Sequence, residues 1–241
     1  ERIINNFDLY QNRKQVTHLY FYGAGCGVET PQLRIRKVFD EIFTEAEKII
    51  KEDTYAAVYA ASKPNEKSIV CILGTGSNCT YFDGKEIDQR ITSLGYILMD
   101  EASGNFFGKQ LIRSYYFNTM PKLLKDEFEK EYDLRPDTVK ENIYRRENPN
   151  TYLATFSKFL IKNKNNELFQ KIIKAGLERF INHQILQFDN AQQVPIHFIG
   201  SISFFLKEEI KQALEEKGLT MGRIVQRPID ELVEYHIHLL K

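Results

Sequence analysis

The chain has 241 residues, with 33 basic and 33 acidic side chains and a formal net charge of zero. It therefore carries no electrostatic footprint for nucleic acid or an anionic membrane, while its length allows one large domain or two small ones with ample core. Three cysteines without CxxC spacing suit a reducing compartment and argue against a disulfide or zinc framework. No apolar run approaches the ~20 residues that span a bilayer, and the apolar core of a signal peptide is missing, so the expected location is cytoplasmic.

The chain opens on Glu1-Arg2-Ile3-Ile4, already strand-like and without an initiator Met, which leads us to expect residues upstream. Residues 16–22 are β-branched and aromatic and empty into Gly23-Ala24-Gly25-Cys26-Gly27, the pattern of a buried strand and its loop. Thr30-Pro31 opens a helix whose apolar positions are Leu33, Val38, Ile42 and Phe43. Residues 46–52 form a short strand, Asp53 follows it, and 54–61 form an Ala-rich helix. Lys63-Pro64-Asn65-Glu66 is a turn and the expected hinge between halves.

The second half begins at Ser68 with a strand that runs into Gly74-Thr75-Gly76-Ser77, followed by a strand over 78–82. Asp83-Gly84 signals a hairpin, with the return strand over 85–91 and a further apolar strand over 94–99. Helices are expected at 105–117, 122–132, 135–145, 150–163 and 168–188. The chain then returns to a strand at 194–199, followed by Gly200-Ser201 and an amphipathic helix over 202–217 capped by Gly218. A last strand at 223–226 and a closing helix at 229–240 complete a mixed α/β pattern. Domain boundaries are placed at 1–64, the remainder of an N-terminal lobe; 65–227, the C-terminal lobe; and 228–241, a closing helix packing back on the first lobe.

Three glycine-bearing loops each follow an apolar strand: 74–78, 100–104 and 200–201. Glycines and hydroxyl residues at a strand end let backbone N–H groups approach an anion, and ligands of open α/β sheets gather at the carboxyl ends of strands. Each loop alone also reads as an ordinary turn; together they favour a nucleotide site.

The run Ile72-Leu73-Gly74-Thr75-Gly76-Ser77-Asn78, then Gly95-Tyr96 and Asp100-Glu101-x-Ser103-Gly104, with Tyr22-Gly23-Ala24-Gly25-Cys26 upstream and Phe198-Ile199-Gly200-Ser201-Ile202 near the end, resembles the BadF/BadG ATPase and N-acetylglucosamine kinase family. The resemblance implies a two-lobed ribonuclease H-like (actin-like ATPase) fold, here with an incomplete N-terminal lobe. It implies ATP and Mg²⁺ as cofactors and an amino sugar as substrate, phosphorylated at its 6-hydroxyl, in a protein whose relatives are often dimers. Gly74, Thr75, Gly76 and Ser77 would form the second phosphate loop, with Gly200 and Ser201 as the adenosine loop. Asn78, Gly95 and Asp100 fall where the sugar is held, amide and carboxylate suiting a polyol. Asp53 aligns with the catalytic base, which accepts the proton of the attacking hydroxyl.

Other readings of these residues stay open. Asp53 also suits the N-cap of the following helix, and Asp100-Glu101 suits capping of the helix that starts near Ser103. An ATPase of the dehydratase-activator type needs cysteines that share an iron–sulfur cluster between subunits, an arrangement that Cys26, Cys71 and Cys79 do not offer. A catalytically silent sugar-binding regulator is the third alternative. The chain departs from the family in three places. The first phosphate loop, Asp-x-Gly-x-Thr, is absent from these residues: either it lies upstream of them or the chain cannot hold ATP-Mg²⁺ as the family does. Ala102 replaces a glycine, which is expected to exclude positive φ and alter the loop. Tyr96 stands where eukaryotic sugar kinases carry Trp.

Overall fold

The computed structural model describes residues 5–23, 25–63 and 65–239. The chain divides into two compact units, Glu1–Tyr59 and Ala60–Lys241. The expected hinge residue Pro64 lies outside the described residues, as do Ala24 of the first glycine loop and Leu240 at the expected end of the last helix.

In the first unit β1 (His18–Gly23) and β2 (Glu47–Glu52) pair in parallel, with Gly23 opposite Glu52. Parallel neighbours need a crossover, and the helix Glu29–Ile42 supplies it. Phe39, Phe43, Ala46, Ile50 and Cys26 form its core, with Ile35 and Phe21 packed against them. The expected helix face needs correction, because Leu33 and Val38 are 55% and 53% exposed. A five-residue step turns a helix by roughly 500°, which places those two positions about 140° apart. The buried face is instead Ile35, Phe39 and Ile42, at helical spacing.

The second unit is built on a five-stranded sheet of β3 (Ser68–Leu73), β4 (Ser77–Phe82), β5 (Ile87–Asp88), β6 (Ile196–Ile199) and β7 (Met221–Val225). Their order is β5-β4-β3-β6-β7. β3 to β5 form an antiparallel meander, whereas β3, β6 and β7 run parallel. The near-continuous apolar run of β3 fits its central place, where both faces are covered. Helices from Gly104–Tyr116 to Glu167–His183 enter between β5 and β6, and one core cluster runs from Ile69 and Leu73 through Phe106, Phe107, Phe159 and Phe180 to Ile202 and Leu214. No described helix is long and apolar enough to cross a membrane.

Several expected elements are revised. Residues 94–99 form no strand: Met99 N–H donates to Gly95 O at 2.9 Å, Gly95 takes φ 80°, and Leu94, Ile97 and Leu98 stay exposed. An apolar run is thus a surface turn, because glycine in its middle reverses the chain. The return strand shrinks to Ile87–Asp88, since Asp83 Oδ1 accepts from the amides of Lys85 and Glu86 at 2.8 Å and spends those residues on the turn. The helix over 150–163 breaks at Phe156 into Pro149–Thr155 and Ser157–Lys162, and the one over 202–217 breaks at Leu206 into Ser201–Phe205 and Lys207–Glu215. Both breaks carry a buried apolar residue, whose packing overrides helix continuity.

On β6, His197 is buried; its Nδ1 accepts from Arg223 N–H at 2.8 Å and its Nε2 lies 3.3 Å from Glu66 Oε2. The first bond fixes the neutral tautomer, with the proton on Nε2. Burial pulls the His197 pKa below its ordinary value, against the opposing attraction of Glu66.

Candidate functional site

The site is assembled at the carboxyl end of β3. Leu73 pairs with Ser77 across the β3–β4 connection, which leaves Gly74-Thr75-Gly76 as a tight loop closed by Gly74 N–H donating to Gly76 O at 3.0 Å. Thr75 is exposed and Gly74, Gly76 and Ser77 are half-buried. The loop is clamped from behind by the start of the helix Gly104–Tyr116. Gly104 N–H donates to Gly74 O at 2.8 Å, and Asn105 donates to Thr75 O from its backbone N–H at 3.0 Å and from Nδ2 at 2.7 Å.

Asn105 also fixes the carboxylate. Its Nδ2 donates to Asp100 Oδ2 at 2.9 Å, with both side chains buried. A Cβ on Gly76 would lie 2.8 Å from that same Oδ2, so the loop backbone passes directly over the Asp100 carboxylate. Capping does not explain Asp100, because Ser103 is the N-cap, its Oγ accepting from Phe106 N–H at 3.2 Å. Ala102 does adopt positive φ, at 58°, next to Asp100 at 67°. The loop therefore keeps its left-handed bends despite the replaced glycine, at about 1–2 kcal/mol for each side chain held there.

The third loop meets the first through the sheet. Gly200 follows β6, the parallel neighbour of β3, and takes φ 115° and ψ 170°. A Cβ there would lie 2.4 Å from Leu73 O and 3.3 Å from Gly74 N. The glycine at 200 is thus required by the neighbouring strand itself, a reason separate from any ring stacked on it. Ser201 is exposed and begins the helix Ser201–Phe205.

Among the described residues, the Thr75 and Gly76 amides and the Thr75 and Ser77 hydroxyls have no protein acceptor or donor. A Cβ on Gly74 would meet nothing within 4 Å. Four open donors around a bare glycine fit the terminal phosphates of a nucleotide. No group of three His, Cys, Asp or Glu side chains among the described residues is arranged to hold a metal ion.

The structure thus brings Gly74, Thr75, Gly76, Asp100 and Gly200 together, with Ser77 and Asn78 opening β4 beside them. Gly95 lies in the turn before Asp100, which Lys109 ties to the helix by donating from Nζ to Tyr96 O at 2.7 Å. Asp53 belongs to the first unit, where it is exposed and is the first residue of the helix Asp53–Ala61. It directly follows Glu52, whose partner Gly23 opens the first glycine loop, so both lie at the carboxyl end of the parallel β1–β2 pair. Sequence reasoning missed Asn105 and Lys109. A signal for Asn105 was available, since an Asn in the first turn, ahead of a Phe-Phe pair, is buried once that turn packs inward.

No protein-family model matches the chain, and no curated protein matches it. Among solved structures, a candidate N-acetylglucosamine kinase from Porphyromonas gingivalis is 31% identical, with a TM-score of 0.92 over 99% of this chain and 83% of that one. A candidate N-acetylglucosamine kinase from Chromobacterium violaceum shares the fold, with a TM-score of 0.65 and 13% identity over 86% of this chain and 72% of that one. With that identity over nearly its whole length, and with the mixed α/β ribonuclease H-like architecture described above, the chain belongs to the N-acetylglucosamine kinase-like family of the actin-like ATPase fold.

Proposed function

We propose that the chain is a sugar kinase that transfers the γ-phosphoryl group of ATP to N-acetylglucosamine or a related amino sugar, at the 6-hydroxyl. The observation that carries the reading is the hydrogen-bonded unit of the Gly74–Ser77 loop, Asn105 and Asp100. It sets an open phosphate cradle against a buried carboxylate suited to sugar hydroxyls.

In this reading Mg²⁺ would be carried on the phosphates of ATP and would, when bound, supply charge neutralisation for phosphoryl transfer. The amides of Thr75 and Gly76 and the hydroxyls of Thr75 and Ser77 hold the β- and γ-phosphates, with the adenosine lying along Gly200 and Ser201. Asp100 accepts from sugar hydroxyls, and Asn78 can both donate and accept. Gly95 lets the preceding turn bend toward the sugar. Asp53 takes the proton of the attacking hydroxyl, its exposure leaving the carboxylate free to meet substrate. A homodimer and a cytoplasmic location accompany the reading as expectations from the family resemblance and the composition.

The test is ADP release by the full-length protein with ATP-Mg²⁺ and a panel of sugars. Turnover that depends on N-acetylglucosamine is expected, and equal ADP release without sugar would replace the kinase by an ATPase. Asp53→Asn should lower kcat by at least about 10²-fold, the lower range of general-base contributions, with sugar affinity kept. Wild-type turnover in that variant removes Asp53 from the mechanism.

A further inference from the structure

Behind the Asp100 loop, on the second unit, lies a cavity of about 520 Å³ between the helices Gly104–Tyr116 and Glu167–His183, with the exposed turn at Ile97 and Leu98 at its mouth. None of the residues assigned above to phosphate or sugar lines it. Its charge is one-sided. Lys109 and Arg113, one turn apart on the first helix, and Lys171 and Arg179, two turns apart on the second, face it. Glu101 is its one carboxylate. That local excess of three positive charges stands out in a chain whose charges balance.

The cations are not spent on the protein in equal measure. Lys171 pairs with Glu167 at 2.6 Å, and Lys109 is committed to Tyr96 O. Arg113 lies over the Phe117 ring at 5.1 Å, and neither Arg113 nor Arg179 has a carboxylate partner among the described residues. Guanidinium groups present a planar fork matched to phosphate oxygens. Glu101 poses the opposite demand: its Oε2 is shut off from solvent and has no donor. A buried carboxylate oxygen without a partner costs on the order of 1–3 kcal/mol or more, which turning the Glu101 side chain into the cavity to meet a ligand O–H or N–H would recover. Met99, Phe106 and Ile172 add apolar wall to the same cavity. Burial also draws the Lys109 ammonium below its usual range, against the pull of Glu101 and Asp100, in keeping with a partly water-excluded pocket.

From this juxtaposition we infer that the cavity is a second ligand site, taking a hydroxylated organic phosphate. Its phosphate lies on Arg113 and Arg179, a hydroxyl donates to Glu101, and its carbon skeleton lies on the apolar wall. The volume suits a molecule the size of a sugar phosphate.

Calorimetric titration of the full chain with N-acetylglucosamine 6-phosphate tests this, with inorganic phosphate as the stripped probe. The ester is expected to bind at least tenfold more tightly than inorganic phosphate. The double variant Arg113→Glu/Arg179→Glu should weaken the ester at least tenfold and leave ATP-Mg²⁺ affinity unchanged. Ala175→Phe, which fills the cavity from an exposed position without changing charge, should weaken it similarly. Thr75→Glu, which sets a carboxylate in the phosphate loop from an exposed position, should leave this binding in place. The proposal is overturned if the wild type does not bind the ester, if inorganic phosphate binds equally well, if either cavity variant binds normally, or if Thr75→Glu abolishes the signal. Because ATP-dependent turnover is measured separately, failure here leaves the kinase reading standing, and the reverse holds too.

Discussion

Replacing Gly200 by alanine should damage both the fold and the loop proposed to hold the nucleotide. Its backbone, at φ 115° and ψ 170°, lies in a region that side chains enter at a cost of about 1–3 kcal/mol. The added Cβ would also sit 2.4 Å from Leu73 O and 2.9 Å from Leu73 C. Those atoms cannot yield easily, because Leu73 pairs with Ser77 and its neighbour Ile72 pairs with both Asn78 and Ile199. Overpacking against such a wall adds about 1–3 kcal/mol, for a total of roughly 2–6 kcal/mol. A domain of this size loses roughly 2–4 °C of Tm per kcal/mol, so thermal melting by circular dichroism should fall by at least about 4 °C. Gly218→Ala separates strain from collision: at φ 68°, with only Gln192 Nε2 within reach at 3.9 Å, it should cost about 1–2 kcal/mol. A Gly200→Ala protein that melts within about 1 °C of wild type, or above Gly218→Ala, refutes the reasoning.

Other residues give sharper functional readouts. Gly76→Ala places a Cβ 2.8 Å from Asp100 Oδ2, and the carboxylate should swing off Asn105 and away from the sugar proposed to bind there; loss of that charged hydrogen bond to sugar, about 1.5–3 kcal/mol, predicts a KM for sugar raised roughly tenfold or more. An unchanged KM would show that the carboxylate is not held for substrate. Asn105→Asp sets a second carboxylate 2.9 Å from Asp100, so its destabilisation in urea should be greater at pH 7 than at pH 4, where a shared proton relieves the repulsion; a pH-independent penalty would contradict this. His197 has a folded pKa below its unfolded value near 6.5, so its contribution to stability is present above that value and is lost as pH falls through the folded pKa. Protonation would have to occur at the Nδ1 that accepts from Arg223, with Glu66 on the other nitrogen and the positive Lys63 and Arg223 also acting on the ring. His197→Gln should flatten the decline in urea midpoint between about pH 7 and pH 5, and an unaltered decline would assign it to other groups.

The strands that position the site were legible because β3 and β6 are short apolar runs ending in glycine, a signal that survives without knowledge of packing. The glycines themselves were legible as loops, but the neighbour each one must clear was not. Gly200 answers to a carbonyl on another strand, and Gly76 to a carboxylate 24 positions further along the chain. The turn at 94–99 misled for a different reason: composition there is strand-like, while the single glycine that bends it weighs little in a window of apolar residues. Ala102 misled in the opposite sense. The local preference against positive φ is real, yet packing at a fully buried position overrides it. Asn105 escaped notice because its importance comes from two partners, Thr75 and Asp100, which only the folded helix start brings within reach.

The parallel register that joins Ile69 to Ile196 and Ile72 to Ile199 spans well over a hundred residues of intervening chain. Contacts of such separation are slow to form, since loop closure comes before any compensating interaction. The hairpin of β3 and β4 is local and can form early, so the Gly74 loop exists in outline before Gly200 arrives beside it. During folding the cradle proposed for the nucleotide is therefore half-built until β6 docks. If that proposal holds, ATP binds the finished fold and shifts the final docking step without accelerating the collapse that precedes it.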